Sequence, residues 1–160
     1  RKNLSGLVEA MLRLPDVPLV VVGPNGWKAN LETVLEPLGN RVHRVGPVGE
    51  IDKQAWYAAA DVFCYPSFLE GFGLPVAEAM ARGTPVVTAA GTATEEVAAG
   101  AALVVDPNDP EAIAKAVTSV LEDQSLALRL GEAGSKRASE LNWSVAAQAT
   151  IRIYQEVLGG

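Results

Sequence analysis

Two glutamates, Glu70 and Glu78, enclose the run Gly71-Phe72-Gly73-Leu74-Pro75-Val76-Ala77. Pro75 suits the first turn of a helix, because its missing N–H is one of the unpaired donors there and its φ is already helical. Residues 76–80 continue that helix. The N–H groups just ahead of it point outward unpaired, and the helix dipole favours negative charge at that end. Gly71 and Gly73 carry no Cβ, so a ligand can come close to the main chain. The stretch reads as a seat for phosphate, with Phe72, Gly73 and Leu74 supplying the N–H donors. One carboxylate stands just before the seat and one a turn inside the helix. Paired carboxylates also suit glycoside hydrolysis, but a glycine-rich helix start between them asks for phosphate.

The elements that must position these groups alternate between strand and helix. Leu4, Leu7, Val8 and Met11 have the spacing of an amphipathic helix over 4–13. Residues 18–22 form a short apolar run between Pro15 and Gly23, hence a buried strand. Residues 27–38 read as helix ending near Gly39, and 41–45 as strand. Asp52 suits the N-cap of a helix over 53–60, and 62–65 is the next strand. The helix 75–82 follows, then a strand at 85–88. Thr92 and Glu95 have capping-box spacing for a short helix to about 99. A strand at 102–105 leads to Asp109-Pro110, which opens a helix over 110–122, and two more helices occupy 126–140 and 144–158. Such alternation with short connections means an α/β fold, a parallel sheet covered by helices on both faces. A doubly wound sheet of order 3-2-1-4-5-6 begins with its central strand. This chain opens with a helix, so the first strand is expected to be missing from it.

The bulk properties narrow the function. A chain of 160 residues with 49% apolar side chains suffices for one domain with a substantial core. No apolar run approaches the length of a membrane span, and no signal-peptide core follows Arg1. The net charge is −6, with no basic stripe interleaved with aromatics, so nucleic acid is not an expected partner. Phosphate must be held by local geometry and one or two cations. One histidine and one cysteine do not make a zinc site of the usual kind, and no metal is expected. Cys64 reads as a small buried hydrophobe, and a single cysteine fits a reducing cytoplasm. His43 reads as a surface or structural residue, and Trp56, Tyr57 and Trp143 as core or helix-packing aromatics.

With these residues laid out, the chain resembles the C-terminal, donor-binding domain of retaining GT-B glycosyltransferases. More narrowly, it resembles the large family of sucrose-phosphate synthases and bacterial mannosyl- and glucosyltransferases. Glu70 to Glu78 resembles the E-x7-E signature of that family. Arg1-Lys2-Asn3 resembles its phosphate-contacting loop after strand one. Tyr57-Ala-Ala-Ala-Asp61 followed by Tyr65-Pro66-Ser67 resembles the approach to its site, and the run Ala79-Met80-Ala81-Arg82-Gly83-Thr84-Pro85-Val86-Val87 and Asp106-Pro107 onward extend the match nearly end to end. The resemblance implies a Rossmann-like domain over 1–160, one half of a two-domain enzyme. It implies a UDP-, GDP- or ADP-sugar as donor substrate, no cofactor, and retention of anomeric configuration. The acceptor would bind an N-terminal domain absent from this chain, so the isolated domain is expected to be inactive in transfer. Any peripheral membrane contact would come only through that absent domain.

Residue by residue, the resemblance implies that Glu78 accepts from the two ribose hydroxyls. Glu70 faces the donor sugar and stabilises positive charge at the anomeric carbon. Lys2 stabilises the departing diphosphate, and Arg1 is a weaker candidate beside it. Gly71, Phe72, Gly73 and Leu74 hold the diphosphate, though the Phe72 ring itself reads as packing. Gly46-Pro47-Val48 follows a strand at the carboxyl edge of the sheet, where Val48 is a candidate for main-chain readout of the base. Gly23 borders the cleft, and Gly26 is a turn. Two other readings compete: an enzyme like the sugar-nucleotide epimerases on a similar plan, and a non-catalytic nucleotide-binding module.

Overall fold

The computed structural model describes residues 1–24 and 31–159. In chain order its elements are α1 (Leu4–Met11), β1 (Leu19–Val22), α2 (Leu31–Leu35), β2 (Val42–Gly46), α3 (Glu50–Ala59), β3 (Phe63–Tyr65) and α4 (Leu74–Ala81). There follow β4 (Val86–Ala89), α5 (Ala93–Ala98), β5 (Leu103–Val105), α6 (Pro110–Glu122), α7 (Gln124–Glu140) and α8 (Trp143–Leu158). All strand pairing is parallel. β1 pairs with β2, while β4 lies between β3 and β5. Among the described residues β1 and β3 do not pair with each other, so the sheet falls into two parts. The parts, β2-β1 and β3-β4-β5, follow the 3-2 and 4-5-6 segments of the doubly wound order.

β4 shows how the layers are built. All four of its residues are buried, and successive side chains point to opposite faces. Val86 packs with Val76, Ala79 and Met80 of α4 and Val97 of α5. Its neighbour Val87 packs with Val117 and Val120 of α6 and Leu130 of α7. Helices therefore cover both faces, as the α/β alternation predicts. A third cluster joins α1 to Leu35, Leu38 and Ile113. The functional helix α4 is pinned from behind by α7. A Cβ on Gly131 would stand 2.5 Å from the Gly83 carbonyl oxygen, so only glycine lets α7 approach that turn so closely.

Several boundaries depart from expectation for local reasons. Of the helix expected at 27–38, residues 27–30 and the turn at Gly26 lie outside the described residues. The remainder is α-helical only to Leu35, then tightens into a 3-10 stretch, Glu36–Arg41. Pro37 has no N–H for the i→i−4 bond that an α-helix would need there. Asp52 is not an N-cap: α3 starts at Glu50, Gly49 caps it through the main chain, and Asp52 sits in the first turn, where acidic side chains suit the dipole. Thr92 is the N-cap of α5, as the capping-box spacing predicts, but neither bond of the box forms. Thr92 turns its hydroxyl to the Ala89 carbonyl and to Thr94, while Glu95 Oε2 accepts from the Gly91 N–H at 2.7 Å. Trp143 is not a packing aromatic but 87% exposed, and α8 has no buried residue. Among the described residues no helix is long and apolar enough to cross a membrane.

Candidate functional site

The helix N-terminus expected from Pro75 is present, with α4 beginning one residue earlier at Leu74. Gly73 is its N-cap, in the left-handed region at φ 101°, with no side chain capping the helix. A Cβ on Gly73 would lie 2.6 Å from Thr94 Cγ2, so both backbone conformation and close approach demand glycine. Val76 and Ala77 donate back to the Gly73 carbonyl. Among the described residues nothing accepts from the N–H groups of Phe72, Gly73 or Leu74. They form an open donor cluster at the positive end of the helix. A Cβ on Gly71 would meet only open space. The Phe72 ring is 47% exposed, which corrects the expectation that it packs.

Glu70 is held from one side. Tyr65 Oη donates to Oε1 at 2.8 Å, and Ser67 Oγ lies 2.9 Å from the same oxygen. Ser67 is fully buried and its hydroxyl also lies 3.1 Å from the carbonyl oxygen of Arg1, to which Phe68 N–H also donates. Its single hydroxyl proton serves one acceptor at a time. Among the described residues Oε2 of Glu70 receives no hydrogen bond. The bonds to Arg1 draw the start of the chain onto the Glu70 loop. Asn3 completes this anchoring: it caps α1 in the left-handed conformation and donates to the Pro107 carbonyl at 2.6 Å. Lys2 then stands with its ammonium 5.8 Å from the Tyr65 ring centroid, a cation–π distance. Arg1, Lys2 and Glu70, far apart in sequence, thus gather around Tyr65.

Glu78 is held from both sides. Lys53 Nζ donates to Oε1 at 2.9 Å and Tyr57 Oη to Oε2 at 3.1 Å. Lys53 also pairs with Glu50 Oε2 at 2.9 Å. The Glu78 carboxylate, then that of Glu50, holds the Lys53 ammonium above the usual lysine value. Burial, followed by the nearby Glu78 charge, pushes the Tyr57 phenol well above its usual range. Burial and the bond to Glu70 do the same for Tyr65. Both tyrosines therefore stay protonated and act as donors at neutral pH. Burial pushes the Cys64 thiol up to about 12, which leaves it an inert, protonated side chain.

The two carboxylates terminate one aromatic row. Tyr57 meets Phe63 edge to face with centroids 5.2 Å apart, and Phe63 stacks on Tyr65 at 5.6 Å. Phe63 and Tyr65 alternate along β3 and so share a face. Glu78 hangs from one end of the row and Glu70 from the other, with the open N-terminus of α4 lying between them in sequence. Tyr57 packs against the α4 core and on Phe63 as expected, and its hydroxyl in addition donates to Glu78. Tyr65 and Ser67 lie beside Glu70, where the resemblance puts the approach to the site, whereas nothing in the sequence pointed to Lys53. The i,i+4 spacing of Lys53 and Tyr57 is visible in the sequence, but not that their face meets α4. Val48 lies, partly buried, on the loop from β2 to α3, the helix that carries Lys53 and Tyr57. The Gly23 N–H donates to the Gly46 carbonyl at 2.9 Å, tying together the carboxyl ends of β1 and β2. His43 is exposed on β2 and stands apart from both carboxylate clusters.

A parallel α/β domain with helices on both faces, arranged in this order, is a doubly wound, Rossmann-like domain. The chain belongs to the glycosyl transferases group 1 family, whose model matches residues 1–137. It is 38% identical over 163 residues to the O-antigen chain mannosyltransferase B of Escherichia coli, covering 97% of this chain and 43% of that protein. It is 35% identical over 171 residues to the D-inositol 3-phosphate glycosyltransferase of Corynebacterium glutamicum (strain R), covering 98% of this chain and 41% of that one. Among solved structures, sucrose-phosphate synthase from Thermosynechococcus elongatus superposes with a TM-score of 0.87 at 32% identity, over 99% of this chain and 43% of the other. The chain spans less than half the length of these relatives.

Proposed function

We propose that this chain is the donor-binding half of a retaining glycosyltransferase that moves a hexose from a nucleoside diphosphate sugar to an acceptor. The observation that carries the reading is the open amide cluster of Phe72, Gly73 and Leu74, with a held carboxylate in the loop before it and another on the helix behind it. The amides bind the diphosphate. Glu78 takes the ribose hydroxyls, and Val48 reads the base through its main chain. Glu70 offers Oε2 to the sugar and stabilises positive charge at the anomeric carbon as the bond to the diphosphate lengthens. Lys2, with Arg1 beside it, takes up the charge developing on the leaving diphosphate. The acceptor attacks from the face the diphosphate leaves, so configuration is retained, and no cofactor enters the chemistry. The acceptor arrives from a second domain, without which the chain binds donor but does not transfer. Membership of a glycosyltransferase family favours transfer over an epimerase-like reaction.

Calorimetric titration with UDP, GDP and ADP, alone and as hexose conjugates, tests the reading on a sample shown to be folded by circular dichroism. One of the three is expected to bind at micromolar to low millimolar strength, with its hexose conjugate at least as tight. Silence from all six would remove the site assignment.

A further inference from the structure

Lys53 and Tyr57 lie four residues apart on one face of α3 and approach a single carboxylate from its two oxygens, at 2.9 and 3.1 Å. Each carboxylate oxygen has two lone pairs, so one donor on each leaves one acceptor position on each. Those two positions stand side by side, as the vicinal hydroxyls of a ribose do. An unheld glutamate carboxylate would turn freely, because its terminal torsion is broad. Lys53 is itself braced. Glu50, one turn earlier on α3, pairs with it at 2.9 Å, Gln54 Nε2 donates to Glu50 at 2.8 Å, and Arg82 Nε donates to Gln54 at 2.7 Å. The chain of contacts runs from the Glu78 carboxylate along α3 and back to the residue after α4. Half-exposed ion pairs of this kind add little to stability, so their arrangement around one carboxylate calls for another reason.

We infer that Lys53, braced by Glu50 and partnered by Tyr57, is a positioning residue that presets the plane of the Glu78 carboxylate for a vicinal diol and so sets a preference for ribose over 2′-deoxyribose. The inference rests on the reading of Glu78 as the ribose acceptor. Lys53 touches no ligand in this account and acts through Glu78 alone. Removing its charge frees the carboxylate to rotate, and the advantage of the second hydroxyl falls.

The test is calorimetry on the full chain and its K53M, K53R and Y57F variants. The probes are whichever of UDP, GDP and ADP binds and its 2′-deoxy counterpart, with thermal denaturation run in parallel. The wild type is expected to prefer the ribonucleotide by about tenfold or more, one charge-assisted bond's worth. K53M and Y57F should narrow that ratio to within about threefold, and K53R should restore it. A K53M protein that keeps the wild-type ratio, with or without a lower melting temperature, overturns the inference while leaving the ribose reading intact. So does one that binds the ribonucleotide more tightly than wild type, because Lys53 would then compete for the carboxylate. A wild type that binds none of the three, or binds ribo and deoxy forms alike, removes the ribose reading itself and the inference with it.

Discussion

Glu78→Ala should weaken nucleoside diphosphate binding by about 10- to 100-fold. A charge-assisted hydrogen bond to a carboxylate is worth about 1.5–3 kcal/mol, and about 1.4 kcal/mol is tenfold in affinity. On the proposed reading, the substitution removes the acceptor for both ribose hydroxyls. It also strips Tyr57 and Lys53 of their shared partner, and a partly buried phenol left without an acceptor costs about 1–3 kcal/mol of stability. Glu78→Gln separates the two effects. The amide oxygen still accepts from Tyr57 and the side-chain shape is kept, so the fold should hold while binding still drops. Titration calorimetry with each variant, alongside its melting curve, reads both quantities. Wild-type affinity in Glu78→Gln would show that the carboxylate charge plays no part in the site.

Gly73→Ala should be the most damaging small substitution in the loop. An alanine at φ 101° costs about 1–2 kcal/mol. Its Cβ would also stand 2.6 Å from Thr94 Cγ2. Thr94 cannot swing aside cheaply, because it is fully buried and its hydroxyl lies 2.7 Å from those of both Thr88 and Thr92. Overpacking of this kind costs about 1–3 kcal/mol. The sum is about 2–5 kcal/mol, or a fall in melting temperature of about 4–20 °C for a chain of this length. Gly71→Ala is the contrast. Its Cβ meets nothing and its backbone does not require glycine, so stability should stay within about 0.5 kcal/mol. Its nucleotide affinity should nonetheless fall, because the added methyl stands where the ligand approaches the main chain. Equal melting temperatures for Gly73→Ala and wild type would contradict the geometry assigned to the start of α4.

What the sequence made legible was local. The helix opened by Pro75, the strand pattern around β4 and the helix behind Asp109-Pro110 follow from periodicity and capping chemistry that neighbouring residues carry. The pairing of Glu70 and Glu78 around a helix N-terminus was visible for the same reason. Tyr57 was not, because a tyrosine four residues after a lysine looks the same whether it packs in a core or donates to a carboxylate on another helix. Its role depends on the meeting of α3 with α4, which no local pattern records. The support of Glu70 by Tyr65 and Ser67 was hidden in the same way: no local pattern records that both hydroxyls meet one carboxylate oxygen. The gathering of Arg1 and Lys2 at Tyr65 depends on the Arg1 carbonyl accepting from the Phe68 N–H, a contact between residues distant in sequence. The misplaced cap at Asp52 has a simpler origin: the helix start moved three residues earlier to Gly49, while Thr92 does occupy the N-cap of α5 but turns its hydroxyl elsewhere.

Amide chemical shifts of the isotope-labelled chain, followed as the binding nucleoside diphosphate is added, test the central claim most directly. The account predicts that the N–H signals of Phe72, Gly73 and Leu74 move most, saturating with the same affinity that calorimetry gives. Saturable binding that leaves those three amides unmoved while signals elsewhere shift would contradict it.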